Sequence, residues 1–93
     1  MSVPRLELFL HGSSRSGREA RVHVENLRAR VEGERLELTI TDLERQPEAG
    51  KALGVMLTPT LVRRDLPGQP RAFGSFADAS ATLRALALPE VVA

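Results

Sequence analysis

The run Leu6-Glu7-Leu8-Phe9-Leu10 carries large apolar side chains on both of its alternating faces, and few folds accommodate such a run. A period of two sends Leu6, Leu8 and Leu10 to one side of a strand and Phe9 to the other. A strand covered on both sides belongs in the middle of a sheet. The pattern breaks at Gly12 to Ser16. Ser16-Gly17-Arg18-Glu19 matches a capping box, with Ser16 accepting from the amide three residues on and Glu19 reaching back. Ala20, Val24, Leu27 and Val31 then share one face of a helix of about four turns that Gly33 ends.

Leu36, Leu38 and Ile40 alternate with Glu37, Thr39 and Thr41, the pattern of a strand with one dry and one wet face. After Asp42-Leu43, Pro47 suits the first turn of a helix, and residues 47–53 predict a short one weakened by Gly50 and stopped by Gly54. Val55 to Leu57 lead into Thr58-Pro59-Thr60, and Leu61-Val62 continue as a strand. Leu66-Pro67-Gly68-Gln69-Pro70 is turn chemistry, with a return strand over Arg71 to Gly74. Ser75 stands three before Asp78, a helix-start spacing, and Phe76, Ala79, Leu83 and Leu86 mark the last helix's apolar face. Pro89 stops that helix, leaving Glu90 to Ala93 as a loose tail. The order is β-α-β-α-β-β-α. A right-handed parallel first unit and an antiparallel last pair give one four-stranded mixed sheet with three helices, and strand Leu36–Thr41 is its edge.

The 93 residues form a single domain, 1–93. No apolar run spans a bilayer and the start lacks a signal-peptide pattern, so the expectation is a cytoplasmic protein without a membrane role. The net charge of +1 gives no pull toward nucleic acid, and the absence of Tyr and Trp removes the usual stacking platforms. Neither His11 nor His23 has a partner at metal-ligand spacing, so no metal is expected.

The element order, with Thr58-Pro59 set to face the first strand-to-helix turn, is that of a thioredoxin-like domain. Redox members place Cys-x-x-Cys at that turn. This chain has Ser13 and Ser16 there and no cysteine anywhere, so thiol–disulfide chemistry is excluded. Leu8-Phe9-Leu10-His11-Gly12, Asp42-Leu43 with Pro47, the ungapped spacing to Thr58-Pro59-Thr60-Leu61, and Arg71-Ala72-Phe73-Gly74 together resemble the KaiB family of circadian-clock proteins over roughly residues 6–88. The resemblance implies a non-enzymatic adaptor without cofactors that binds a KaiC-type ATPase and, in full clocks, a KaiA-like protein. It also implies a related domain at the sensor end of a clock-output histidine kinase, homo-oligomers up to tetramers, and switching between two folds. Ser75 stands where the family has an acidic residue, His11 where it has a small apolar one, the proline-rich turn is reduced to Pro67 and Pro70, and the acidic C-terminal tail has no counterpart. The expectation here is a chain that stays in the thioredoxin-like form.

Several residues have two readings. Pro59 is the proline whose context fits a cis bond; the Thr58, Pro59, Thr60 loop either shapes the sheet or presents backbone to a ligand. Ser13, Ser14 and Ser16 either cap a helix or hold an anion, and the latter makes a glutathione-binding module the alternative function. Arg63 and Arg64, with Arg71 across the hairpin, form either a partner-facing basic edge or a guard against aggregation. The edge strand with Glu37, Thr39, Thr41 and Asp42 either stays solvated or accepts a partner's strand.

Overall fold

A computed structural model describes residues 3–31, 33 and 35–91. Four strands, β1 (Arg5–Leu10), β2 (Glu37–Asp42), β3 (Thr60–Arg63) and β4 (Arg71–Phe73), form one sheet in the order β2-β1-β3-β4. β1 runs parallel to β2 and antiparallel to β3, and β4 is antiparallel to β3. The two-sided apolar strand is therefore central, as its pattern requires, and β2 and β4 are the free edges. Two α-helices accompany the sheet, α1 (Arg15–Asn26) and α2 (Ala79–Ala85). No described helix is long and apolar enough to cross a membrane.

Register divides the side chains between two faces. Leu6, Leu8 and Leu10 share a face with Leu61 and Ala72, and they pack with Ala20, Val24 and Leu27 of the first helical segment, with Leu83 of α2 and with Leu86 at its C-cap. Leu38 and Ile40 join this core only half-buried, so the second strand's apolar side is less dry than its alternation predicts. The opposite face carries Phe9, Thr60 and Val62, all fully buried. There the 43–57 segment approaches: Leu43 N donates to Leu10 O (2.8 Å), and Arg71 Nη1 donates to Leu53 O (2.8 Å). The cover stops short of Glu7. The Glu7 carboxylate instead accepts from Thr41 Oγ1 (2.5 Å) and from Arg64 Nη1.

Three expectations about helices need correction. Residues 47–53 do not form an α-helix: turns over 47–50 lead to a single 3₁₀ turn, Lys51–Leu53, closed by Gly54 at φ +66°. Seven residues scarcely repay helix nucleation. Gly50 moreover packs so tightly on Val55 that a Cβ there would lie 3.0 Å from the Val55 Cβ. The cap of α1 is Ser14, not Ser16: Ser14 Oγ accepts from Gly17 N (2.9 Å), and Glu19 pairs with Arg15 (2.9 Å) rather than reaching back. The chain turns so tightly there that a Cβ on Gly17 would overlap the His11 carbonyl oxygen. The α-helix also ends early, at Asn26, and continues as a 3₁₀ turn over Leu27–Arg30 before Val31 becomes extended. At the other end of the chain Asp78 alone caps α2, accepting from Ala81 N (3.0 Å), and Phe76 precedes that helix at φ +63° with its ring buried. The tail is tied down as far as Val91: Glu90 bridges Val31, accepts from Arg30 Nη2 (2.5 Å) and from Ser80 Oγ (2.9 Å), and Val91 N donates to Arg30 O (2.9 Å). Val92 and Ala93 lie outside the described residues.

Arg63 joins three elements. Its side chain and that of Asp65 are only 12% and 11% exposed and pair two-fold, Nε to Oδ1 and Nη2 to Oδ2, each at 3.2 Å. Arg63 Nη1 also donates to the carbonyls of Leu86 (3.2 Å) and Ala87 (2.8 Å) at the C-terminus of α2, where a cation is favoured. Asp65 Oδ1 accepts from Arg5 N (2.8 Å). Burial works to raise the Asp65 carboxyl, but the Arg63 guanidinium and the Arg5 amide outweigh it and hold the group below its ordinary 3.8. A folded-state value lower than the unfolded one stabilises the fold above the ordinary range, and that contribution disappears as pH falls through the folded value. Asp65→Asn is expected to cost about 2 kcal/mol at neutral pH and to flatten the acid limb of stability below about pH 4, as urea unfolding across pH would measure.

Candidate functional site

The outer side of β2 is the free edge nearest the serine turn. Glu37 N donates to Pro4 O and Leu43 N to Leu10 O, both at 2.8 Å. In that alternating ladder the residues between them, Leu38, Ile40 and Asp42, turn their backbone groups away from β1. Beside this edge lies an open groove of about 780 Å³. Thr39 to Asp42 form one wall, Glu44 to Gln46 another, and Gly12, Ser13 and Arg21 close the end. It mixes acidic (Asp42, Glu44) and basic (Arg21, Arg45) groups.

The exit of β2 clamps the turn that opens α1. Asp42 Oδ1 accepts from Gly12 N (3.0 Å) and from Glu44 N (2.9 Å). The Gly12 amide, then the Glu44 amide, lower the Asp42 carboxyl below its ordinary 3.8, with Arg45 and His11 adding smaller attractions and burial opposing. A Cβ at Gly12 would overlap Asp42 Oδ2, so any larger residue there displaces this carboxylate from the turn. The Glu44 carboxylate in turn accepts from Ser13 N (3.3 Å) and from Ser13 Oγ. Arg18 Nη1 donates to Ser13 O (2.5 Å), and Ser14 Oγ, besides capping α1, donates to His11 O (2.8 Å). The amides of Gly12, Ser13, Ser14 and Gly17 are thus met by groups of the chain itself.

Thr58–Pro59 is the cis peptide bond, as the sequence context indicates. His11 Nδ1 and Thr58 Oγ1 share a hydrogen bond at 3.1 Å, which brings the Thr58, Pro59, Thr60 loop against the serine turn. Thr60 Oγ1 donates to Leu57 O and its side chain is fully buried. The cis-proline loop and the serine turn are thus neighbours in the fold. No group of three or more His, Cys, Asp or Glu suited to a metal ion occurs among the described residues.

The six residues assigned to a partner surface separate into two groups. Glu37 and Thr39 are exposed on the β2 edge. Thr41 is buried and spent on Glu7, and Asp42 on the serine turn. Arg63 is locked between Asp65 and α2, whereas Arg64, one residue on, points to the opposite face and pairs with Glu7. Arg63 and Arg64 therefore form no common basic edge. Glu44, Arg45 and Gln46 line the groove without having been singled out; the acidic-basic pair directly after the strand was the available signal.

No protein-family model matches the chain, and no curated protein does. Among solved structures the chain is similar to the N-terminal domain of SasA from Synechococcus elongatus, with a TM-score of 0.72 and 19% identity over 90% of this chain and 80% of that one. It is similar to oxidized mitochondrial thioredoxin 3 of Saccharomyces cerevisiae (TM-score 0.70, 16% identity, 94% and 79% covered). It is also similar to a malarial protein (TM-score 0.69, 17% identity, 91% and 98% covered). These likenesses establish the thioredoxin-like fold that the resemblance implied, with two α-helices rather than three.

Asp42→Ala removes the acceptor that holds the turn to β2. It is expected to lower the midpoint of urea unfolding and to speed amide exchange at Gly12 and Ser13.

Proposed function

We propose that the protein is a non-catalytic, KaiB-like adaptor of the cytoplasm that docks on a KaiC-type ATPase through the β2 edge and its adjoining groove. The observation that carries this reading is the free edge itself. Outward backbone groups at Leu38 and Ile40 are flanked by the exposed side chains of Glu37 and Thr39, so a partner strand gains main-chain hydrogen bonds there, with specificity from the side chains. The KaiB-like motifs and the likeness to the SasA N-terminal domain support the choice of partner. The lack of cysteine fits a protein that acts by contact alone.

The glutathione-binding alternative draws less support. An anionic ligand at the serine corner would meet two carboxylates already bonded to the Gly12 and Ser13 amides. It would have to displace Glu44 while remaining close to Asp42, against like charge.

Co-purification with a KaiC homologue, and a change in that enzyme's ATPase rate, test the adaptor reading. Binding at micromolar concentration is expected. Thr39→Lys, which sets a charged guard on the edge, is expected to weaken it about tenfold or more with the far-UV spectrum unchanged. Absence of binding at that concentration refutes the reading. A glutathione titration followed by amide shifts at Ser14 and Thr58 is expected to stay flat.

A further inference from the structure

The segment after α2 closes one end of the core. Ala87 stands at φ +56°. The amides of Ala87 and Leu88 donate to Arg84 O (3.1 Å) and Leu83 O (2.9 Å). This is a Schellman turn, and its left-handed position usually holds glycine because a Cβ is strained there. Beyond the turn Leu88 is 5% exposed and belongs to the same apolar cluster as Val31, Leu83 and Leu86. Two residues on, Glu90 forms an antiparallel bridge with Val31, and its carboxylate accepts from Arg30 Nη2 (2.5 Å) and Ser80 Oγ (2.9 Å). Ser80, then Arg30, hold the Glu90 carboxyl below its ordinary 4.5; burial opposes them and Arg84 adds a smaller attraction. Val91 N adds a main-chain bond to Arg30 O (2.9 Å). The Arg30 and Glu90 side chains are 52% and 29% exposed, and ion pairs open to water hold weakly. Residues 88–91 thus form a strap that runs from a strained hinge to an exposed latch.

We propose that this strap is an internal ligand. Its seat, between the Leu27–Arg30 turn and α2, is a peptide-binding site that a partner protein's extended segment enters by displacing the strap. The strap shows what the seat recognises. Leu88 fills an apolar pocket, and two residues along a guanidinium and a hydroxyl receive the carboxylate of Glu90. One residue further the Arg30 carbonyl receives an amide. Pro89 stands between and has no amide hydrogen, so the seat uses no backbone donor at that position. The incoming segment therefore carries an apolar residue, then any residue, then Asp or Glu. Val31 is already extended (φ −85°, ψ 132°), a backbone shaped for antiparallel pairing. Departure of Leu88 frees Ala87 from the left-handed region, so strain in the hinge favours exchange of the strap for a partner. Neither sheet edge takes part, and this inference stands independently of the adaptor reading.

Two substitutions move the strap in opposite directions. Glu90→Gln takes the charge from the latch, and Ala87→Gly relieves the hinge. In the full chain, amide exchange at Leu88 and Val91 is expected to be faster than at Leu8 in the buried strand β1. It should quicken at least about fivefold further in Glu90→Gln and slow in Ala87→Gly. The probe is acetyl-Leu-Pro-Glu-Val-amide, titrated to about 5 mM and followed by the amide shifts of Val31 and Ser80. Only the open fraction binds, so apparent affinity is expected to fall in the order Glu90→Gln, unsubstituted chain, Ala87→Gly. The same peptide with glutamine for glutamate should bind at least about fivefold more weakly. Exchange at Val91 no faster than at Leu8, equal exchange in the two variants, no shift at Val31 and Ser80 in Glu90→Gln, or equal binding of the glutamine peptide would each overturn the proposal. Exchange in Glu90→Gln that slows as protein concentration rises, the sign of straps traded between copies, would overturn it as well.

Discussion

Burial of β1 on both sides is the constraint from which the architecture follows. Leucines on one face demand helices, and α1 and α2 supply them from the two ends of the chain. Phe9 on the other face demands a second cover, which the 43–57 segment provides although it holds only one 3₁₀ turn. Where that cover ends, the apolar residue of β1 gives way to Glu7, and the sheet surface becomes a set of paired polar groups with Thr41 and Arg64. The same strand thus records where the protein is covered and where it is open.

Much of this was legible in the sequence because it is local. The helical spacing of Ala20 and Val24, the alternation in β1 and the Thr58-Pro59 context each predict what forms. Tertiary choices were not legible. Serines at 13, 14 and 16 are equal candidates for a cap until the path of the turn decides for Ser14. Residues 47–53 read as a helix because Pro47 and the alanines favour one; close packing of Gly50 on Val55 is invisible before folding. Arg63 reads as surface because it is charged. Its burial depends on Asp65 two residues away and on a helix end twenty-three residues away. Within the candidate site, alternation located the edge, but it did not separate Glu37 and Thr39, which remain free, from Thr41 and Asp42, which are spent internally.

The fold offers its backbone at two places of different character. The β2 edge is flanked by polar and charged side chains and opens onto a groove of mixed charge, suited to a selective partner. The β4 edge is short, and the exposed Phe73 ring stands on it. Between them β1 and β3 are sealed, so the sheet interior contributes rigidity and leaves recognition to its margins.

The carboxylate of Glu44 at the head of α1 carries an implication for what chemistry this corner could support. In thiol enzymes the positive end of a helix eases ionisation of sulfur. Here that electrostatic niche already holds negative charge from Glu44, with Asp42 beside it. A cysteine placed at Ser13 would have to shed its proton toward two anions, and its ionisation would be suppressed rather than encouraged. Serine at this corner is accompanied by a negative charge environment, so exchanging oxygen for sulfur alone would not create a reactive thiol there.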